Sequence, residues 1–242
     1  MADNEPKVAL LAGASGLVGG YVLDSLLDAP DFARVFAISR RPLGREHPRL
    51  ANRIVQFEKL ESQLKGGTCH VAFCCLGTTM KQAGSEKAFR QVDMDFVLSF
   101  ARAARAAQAQ RFVVVSSAGA DTRSKHFYLR VKGEMEQALE VLSFPSLDIL
   151  QPGPILGWRR DIRPAELLAA AFMPVVNPFL TGTRMNYRGI GARTVAAAML
   201  GATRSGRRGV YRYTYPALRQ LAESKPVRTA AVFNPRPQSG AR

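Results

Sequence analysis

The chain alternates short apolar runs with amphipathic stretches. Val8–Ala12 is apolar at every position, as befits a strand buried on both faces of a parallel sheet. A glycine-spaced segment follows. Val18, Val22, Ser25 and Leu26 then recur at helical spacing until Pro30 marks the end. Further strands are predicted at Ala33–Ser39, Arg53–Phe57, Cys69–Leu76, Arg111–Ser116 and Ser146–Gln151. Ser85–Gln108 contains neither Gly nor Pro and reads as one long helix; Ser124–Leu142 is a second, with Val131, Met135, Ala138, Leu139 and Leu142 in one stripe. After Pro152-Gly153-Pro154 the rhythm loosens. Pro164–Met173, Gly191–Thr203 and Pro216–Glu223 look helical, and Gly209–Thr214 is a late strand. Strands alternating with helices imply βαβ units, right-handed crossovers and an α/β doubly wound parallel sheet.

With 242 residues, 47% of them apolar, the chain can bury one sizeable core. The expected organisation is a single domain over 1–223 and a basic, disordered tail over 224–242. No apolar run reaches the roughly 18 residues of a membrane span; the best candidate, Ala165–Leu180, is cut by Pro174 and Pro178 and is read as core. The first seven residues lack the basic-then-apolar order of a secretory signal. Three clustered cysteines, Cys69, Cys74 and Cys75, suit neither a disulfide framework nor a metal site and point to a reducing compartment, the cytoplasm. They read as small hydrophobes on a buried strand. Net charge is +15, and from Arg204 onward nine Arg and Lys face one acid, Glu223. Such a tail could tether the domain to nucleic acid or anionic lipid. Without any nucleic-acid-reading signature it reads as a solvated surface, so no specific nucleic acid is expected.

Chemistry enters at Gly13-Ala14-Ser15-Gly16-Leu17-Val18-Gly19. Glycines between an apolar strand and an amphipathic helix permit a tight turn and let the backbone approach a pyrophosphate, which the helix N-terminus then receives. Such a fold places the end of the second strand against the adenosine ribose. Ser39-Arg40-Arg41 stands there, with no acid between 33 and 45. A carboxylate would suit NAD; a guanidinium can grip a 2′-phosphate, so NADP(H) is the expected cofactor. Tyr128 and Lys132 lie four apart on a predicted helix and share a face. A nearby ammonium favours phenolate, which fits Tyr128 for proton transfer to a carbonyl or from an alcohol. Ser116 or Ser117, at the end of the fifth strand, could hold the carbonyl oxygen.

Together, Gly13-x-x-Gly16-x-x-Gly19, Ser39-Arg40, Ser116-Ser117 and Tyr128-x-x-x-Lys132 resemble the short-chain dehydrogenase/reductase superfamily in its atypical branch. Four segments are more specific: Cys74-Cys75-Leu76-Gly77-Thr78-Thr79, Lys81-Gln82-Ala83-Gly84-Ser85, Phe127-Tyr128-x-x-Val131-Lys132-Gly133-Glu134 and Gln151-Pro152-Gly153-Pro154. They are similar to the branch of the Tat-interacting oxidoreductase and its bacterial relatives, over residues 7–215 and most strongly in the first 165. The resemblance implies a Rossmann-type domain binding NADPH through the Gly13–Gly19 turn, Arg40, Leu76-Gly77, Tyr128, Lys132 and the Pro152–Ile155 turn that contains Gly153. Arg163 would reach cofactor or substrate, and a small C-terminal substrate-side segment would occupy about 152–215. Many superfamily members carry an Asn on the helix after the fourth strand, where this chain has Val92-Asp93. His126 is expected at the surface, and Trp158 either lines the substrate pocket or packs. The expected function is an oxidoreductase passing hydride between nicotinamide and a small carbonyl or alcohol. The alternative is an NADPH-binding regulator of a protein partner, without turnover.

Overall fold

The computed structural model describes residues 6–64, 67–157, 177 and 180–224. Arg163, Trp158, the expected helix at 164–173 and the basic tail beyond 224 lie outside them.

Seven strands form one fully parallel sheet: β1 (Lys7–Ala12), β2 (Phe32–Ser39), β3 (Leu50–Ile54), β4 (Val71–Cys74), β5 (Arg111–Val115), β6 (Ser146–Leu150) and, last in sequence, β9 (Gly209–Tyr213). Their order across the sheet is β3-β2-β1-β4-β5-β6-β9. Chain order reverses between β1 and β4, the place where such sheets open a crevice at their carboxyl ends. Register brings those ends level: Ala12 pairs with Ile38 and Cys74, Cys74 with Val114, and Val115 with Leu150, itself opposite Tyr213. Two short strands, β7 (Ile155–Leu156) and β8 (Ile190–Gly191), pair separately.

Alternation along the strands builds the core on both faces. Leu10, Ala12, Ala72 and Cys74 point to one side. They pack there with Phe100 of α5 (Phe96–Ala106), Met135 and Leu139 of α6 (Phe127–Val141), and Phe112. Ala9, Leu11, Val71 and Phe73 point to the other, against Val22 and Leu26 of α1 (Leu17–Asp28), Val195 and Met199 of α7 (Ala192–Ala202), and Leu218 of α8 (Tyr215–Glu223). The doubly wound α/β sheet is thus as the strand pattern predicts. The short helices α2 (Leu60–Gln63), α3 (Met80–Ala83) and α4 (Glu86–Arg90) complete the chain order.

Several boundaries differ from the sequence reading, among them the fourth strand, which spans Val71–Cys74 rather than residues 69–76. The third strand starts three residues early, at Leu50, because the Asn52 amide donates to Ala37 O and Ser39 Oγ while its oxygen accepts from Leu43 N. Phe57 instead enters a 3-10 turn, buried with its ring 5.3 Å from that of Phe96. Helix α6 begins at Phe127, not Ser124, because residues 121–124 form a turn: the Asp121 carboxylate accepts from Arg123 N and Asp121 O from Ser124 N. The long helix expected from 85 to 108 is interrupted by a π turn at Gln91–Asp95, between α4 and α5.

Candidate functional site

The cavity at the switch point measures about 700 Å³ and collects elements distant in sequence. Its floor is the turn between β1 and α1. Gly13 adopts φ +87°, and a Cβ there would lie 2.5 Å from Cys75 O, just beyond β4. A Cβ on Gly19 would fall 2.0 Å from Gly13 O. These two positions must be glycine for the turn to close so tightly against strand and helix. Gly16 is the helix N-cap, and no side chain caps it. The first-turn N–H groups have no intrahelical partner and carry the positive end of the helix dipole. Ser15, Gly16, Leu17 and Val18 line the cavity. Gly13, Ala14 and Gly19 shape it from beneath without lining it.

Arg40 stands exposed at the cavity wall, just beyond β2. Its neighbours do not reach the wall. Ser39 is buried, donating to Arg41 O at 2.7 Å and accepting from Asn52 Nδ2, so it fixes the strand end. Arg41 is exposed outside the cavity. Leu76, Gly77, Thr78 and Thr79 continue the wall after β4, and Ile155 of β7 closes the far side. Pro152 and Gly153 lie behind it. Pro152 O accepts from Ala118 N, and a Cβ on Gly153 would lie 2.4 Å from Arg188 O, so this turn braces the loop after β5.

Tyr128, Lys132 and Ser116 meet at the wall opposite the glycine turn. Tyr128 is half-buried, its ring 5.5 Å from that of Phe89. Lys132 is buried, and its Nζ lies 2.8 Å from Asp93 Oδ1. Burial alone would pull that ammonium's pKa down. The Asp93 carboxylate, helped by Tyr128, outweighs it and raises the pKa above the ordinary lysine value. Asp93 is itself 1% exposed, and its Oδ2 accepts from Thr78 N at 2.7 Å. The π turn carries it there.

Ser116 is buried and donates its hydroxyl to Glu136 Oε1 at 2.5 Å. Glu136, on α6 and 3% exposed, also accepts from Gln151 Nε2 and from Arg212 Nε, each at 3.0 Å. A hydroxyl has one proton, so in this geometry Ser116 offers the cavity lone pairs. Ser117 turns away and donates to Ala118 O at 3.3 Å. Of the two serines, only Ser116 lines the cavity.

Glu136 was not singled out in the sequence. Its spacing four after Lys132, on the buried stripe of an otherwise charged helix, was the available signal. Cys75 also lines the wall, its thiol raised well above ordinary by burial; Cys69 and Cys74 are buried and pushed up to about 12 for the same reason. His126 is the exposed N-cap of α6. Among the described residues no helix is long and apolar enough to cross a membrane.

Several known proteins share this chain's sequence or fold. The HIM1 family model matches residues 54–176. Protein HTATIP2 of Rattus norvegicus is 41% identical over 170 residues, covering 69% of this chain and 70% of that protein. The mitochondrial protein fmp52 of Emericella nidulans is 37% identical over 178 residues, covering 69% and 74%. Among solved structures, the UDP-glucose 4-epimerase of Thermotoga maritima with UDP-glucose superposes with a TM-score of 0.64 at 14% identity, over 86% of this chain and 76% of that one. The Bordetella bronchiseptica enzyme WbmG in complex with NAD gives 0.63 at 15%, over 88% and 74%. Those two likenesses speak for the Rossmann-type fold, and the sequence relatives for the lineage: the chain belongs to the HIM1 family.

Proposed function

We propose that this chain is an NADP(H)-binding oxidoreductase that moves hydride between nicotinamide and a small carbonyl or alcohol. One observation carries the reading: a single cavity joins the uncapped helix N-terminus at Gly16, the Arg40 guanidinium and the Tyr128–Lys132 pair. The donor set fits a phosphorylated dinucleotide. First-turn N–H groups suit the pyrophosphate, Arg40 suits a 2′-phosphate, and the glycine floor leaves room for close backbone approach. The solved WbmG complex with NAD supports dinucleotide binding at this fold.

When bound, the cofactor supplies or accepts the hydride. The chain's own residues bind, orient and handle the proton. Gly13–Gly19 and Leu76-Gly77 cradle the dinucleotide, and Ile155 bounds its far end with Pro152 and Gly153 bracing it from behind; the contact that the family resemblance implies for Arg163 lies outside the described residues. Arg40 selects the phosphorylated form; Arg41, outside the cavity, adds only positive charge at longer range. Lys132 holds ribose hydroxyls and stabilises negative charge on the Tyr128 oxygen. Tyr128 gives its proton to a carbonyl or takes one from an alcohol. Ser116 faces the substrate; Ser117, turned to Ala118 O, stands outside the cavity and takes no part in that role. Three free thiols support a reducing compartment, the cytoplasm, whereas the fungal relatives' names assign those proteins to mitochondria.

A second reading, an NADPH-binding regulator of a protein partner, is favoured by one specific observation: the Ser116 proton is already committed to Glu136. Titrating the full chain with NADPH and NADH, beside Arg40→Ala and Tyr128→Phe, separates the possibilities. Tighter NADPH binding that Arg40→Ala abolishes supports the cofactor assignment. Turnover of a carbonyl panel that Tyr128→Phe abolishes supports the enzyme; NADPH binding without turnover supports the regulator. Absence of binding by either nucleotide rejects both.

A further inference from the structure

An α-helix that takes up one extra residue as a π turn swings the residues within it out of phase, and such turns gather at functional sites. Here the turn at Gln91–Asp95 brings one carboxylate inward. Asp93 joins three elements. Its Oδ2 accepts from Thr78 N in the loop after β4, its Oδ1 sits 2.8 Å from Lys132 Nζ on α6, and its own backbone belongs to the turn. The side chains of Lys132 and Asp93 are 5% and 1% exposed. The loop is shaped to admit the carboxylate, for a Cβ on Gly77 would come within 3.3 Å of Asp93 Oδ1.

Three titratable groups face the Lys132 ammonium: Asp93 from the π turn, Tyr128 from its own helix and Cys74 from β4. Of these Asp93 is the carboxylate, and the Cys74 thiol is held protonated by burial. A buried amine lacking such an anion sheds its proton readily. Beside an anion at ion-pair distance it stays an ammonium, with N–H donors left over for the cavity.

We propose that Asp93 is a positioning residue for Lys132: its carboxylate fixes the ammonium at the cavity wall as a permanent cation, so the lysine orients ligand and stabilises charge but does not carry protons away from Tyr128. Where many superfamily members have a neutral amide on this helix, this chain has the anion that locks the lysine. The inference rests on the reading that the cavity binds NADP(H), and its test separates the two.

Asp93→Asn keeps an oxygen for the Thr78 N–H and removes the charge. Without its partner the buried Lys132 has a lowered pKa, so its charge persists at low pH and disappears as pH rises. NADPH affinity of the full chain, followed by nicotinamide fluorescence from about pH 7 to about pH 9.5, is then flat for the wild type and weakens about tenfold or more across the range in Asp93→Asn. Combining Asp93→Asn with Lys132→Arg restores a flat profile, because a guanidinium does not titrate there. A second readout needs no cofactor. Only a neutral amine adds to isocyanic acid, so cyanate at about pH 8 carbamylates Lys132 in Asp93→Asn and spares it in the wild type, as peptide mass spectrometry reads directly. Identical binding profiles and identical carbamylation in wild type and Asp93→Asn overturn the proposal. Failure of the wild type to bind NADPH or NADH overturns the cofactor reading instead, and the cyanate result still decides the role of Asp93.

Discussion

Glu136 sits at the root of the wall that carries Ser116, and removing its carboxylate has consequences the geometry allows to be sized. In Glu136→Ala three donors lose their acceptor: the Ser116 hydroxyl, the Gln151 amide and the Arg212 guanidinium. Arg212 is the least affected, since its side chain is 42% exposed and still pairs with Glu140. Ser116 is buried and Gln151 half-buried, so both lose more, and hydrogen bonds to a buried charge contribute about 1.5–3 kcal/mol each. The expected loss is about 3–5 kcal/mol, in line with deleting one member of a buried charged pair. For a domain of this size that lowers the thermal midpoint by roughly 6–20 °C. Glu136→Gln keeps one acceptor oxygen and is expected to lose about half as much. Circular dichroism melts and urea titrations of the three proteins read both quantities. If Glu136→Ala stays within about 1 kcal/mol of wild type, the network contributes little and the reasoning fails.

Gly13→Ala is expected to cost more than about 3 kcal/mol. The left-handed φ alone costs about 1–2 kcal/mol, and the new methyl meets a backbone carbonyl that cannot rotate away. Soluble expression with an unchanged melt would refute the fit between turn and β4. The thiols give a chemical check. With Cys69 and Cys74 pushed up to about 12 by burial, on the order of one molecule in ten thousand carries a thiolate there at about pH 8. Ellman's reagent should therefore find the native protein sluggish at all three cysteines and the unfolded chain fully reactive. Fast release of one equivalent from native protein contradicts the burial.

Much of the fold was legible because parallel strands buried on both faces leave uninterrupted apolar runs, as at Val8–Ala12 and Phe112–Val115. The glycine turn was legible because strain and close approach restrict residue type at Gly13 and Gly19. Tyr128 and Lys132 were legible from helical spacing only together with their place, one strand–helix unit after the fourth strand and just beyond Ser116-Ser117. Other features were hidden for physical reasons. The π turn leaves no compositional mark, since a helix with one residue in excess uses the same helix formers. β3 begins where the Asn52 side chain ties it to β2, a contact between segments that periodicity cannot register. Ser116 rather than Ser117 faces the cavity because strand pleat and a hydrogen bond to a helix twenty residues away choose between adjacent identical residues. Ser39, expected beside the ribose, turns inward to Asn52 because a short hydroxyl at a strand end satisfies the neighbouring backbone more readily than it reaches solvent.

The surplus residue at Gln91–Asp95 also changes how the helix run from 86 to 106 should be compared with its relatives. A single deletion inside the turn would restore an unbroken α-helix and rotate everything upstream by about 100° relative to everything downstream. Phe89 could then no longer lie against Tyr128 while Phe100 kept its place in the core. The insertion acts as a phase lock between two stretches of sequence. A kindred protein whose alignment needs a one-residue gap there is expected to lack the lysine's counter-ion, even if it still spells tyrosine and lysine four apart.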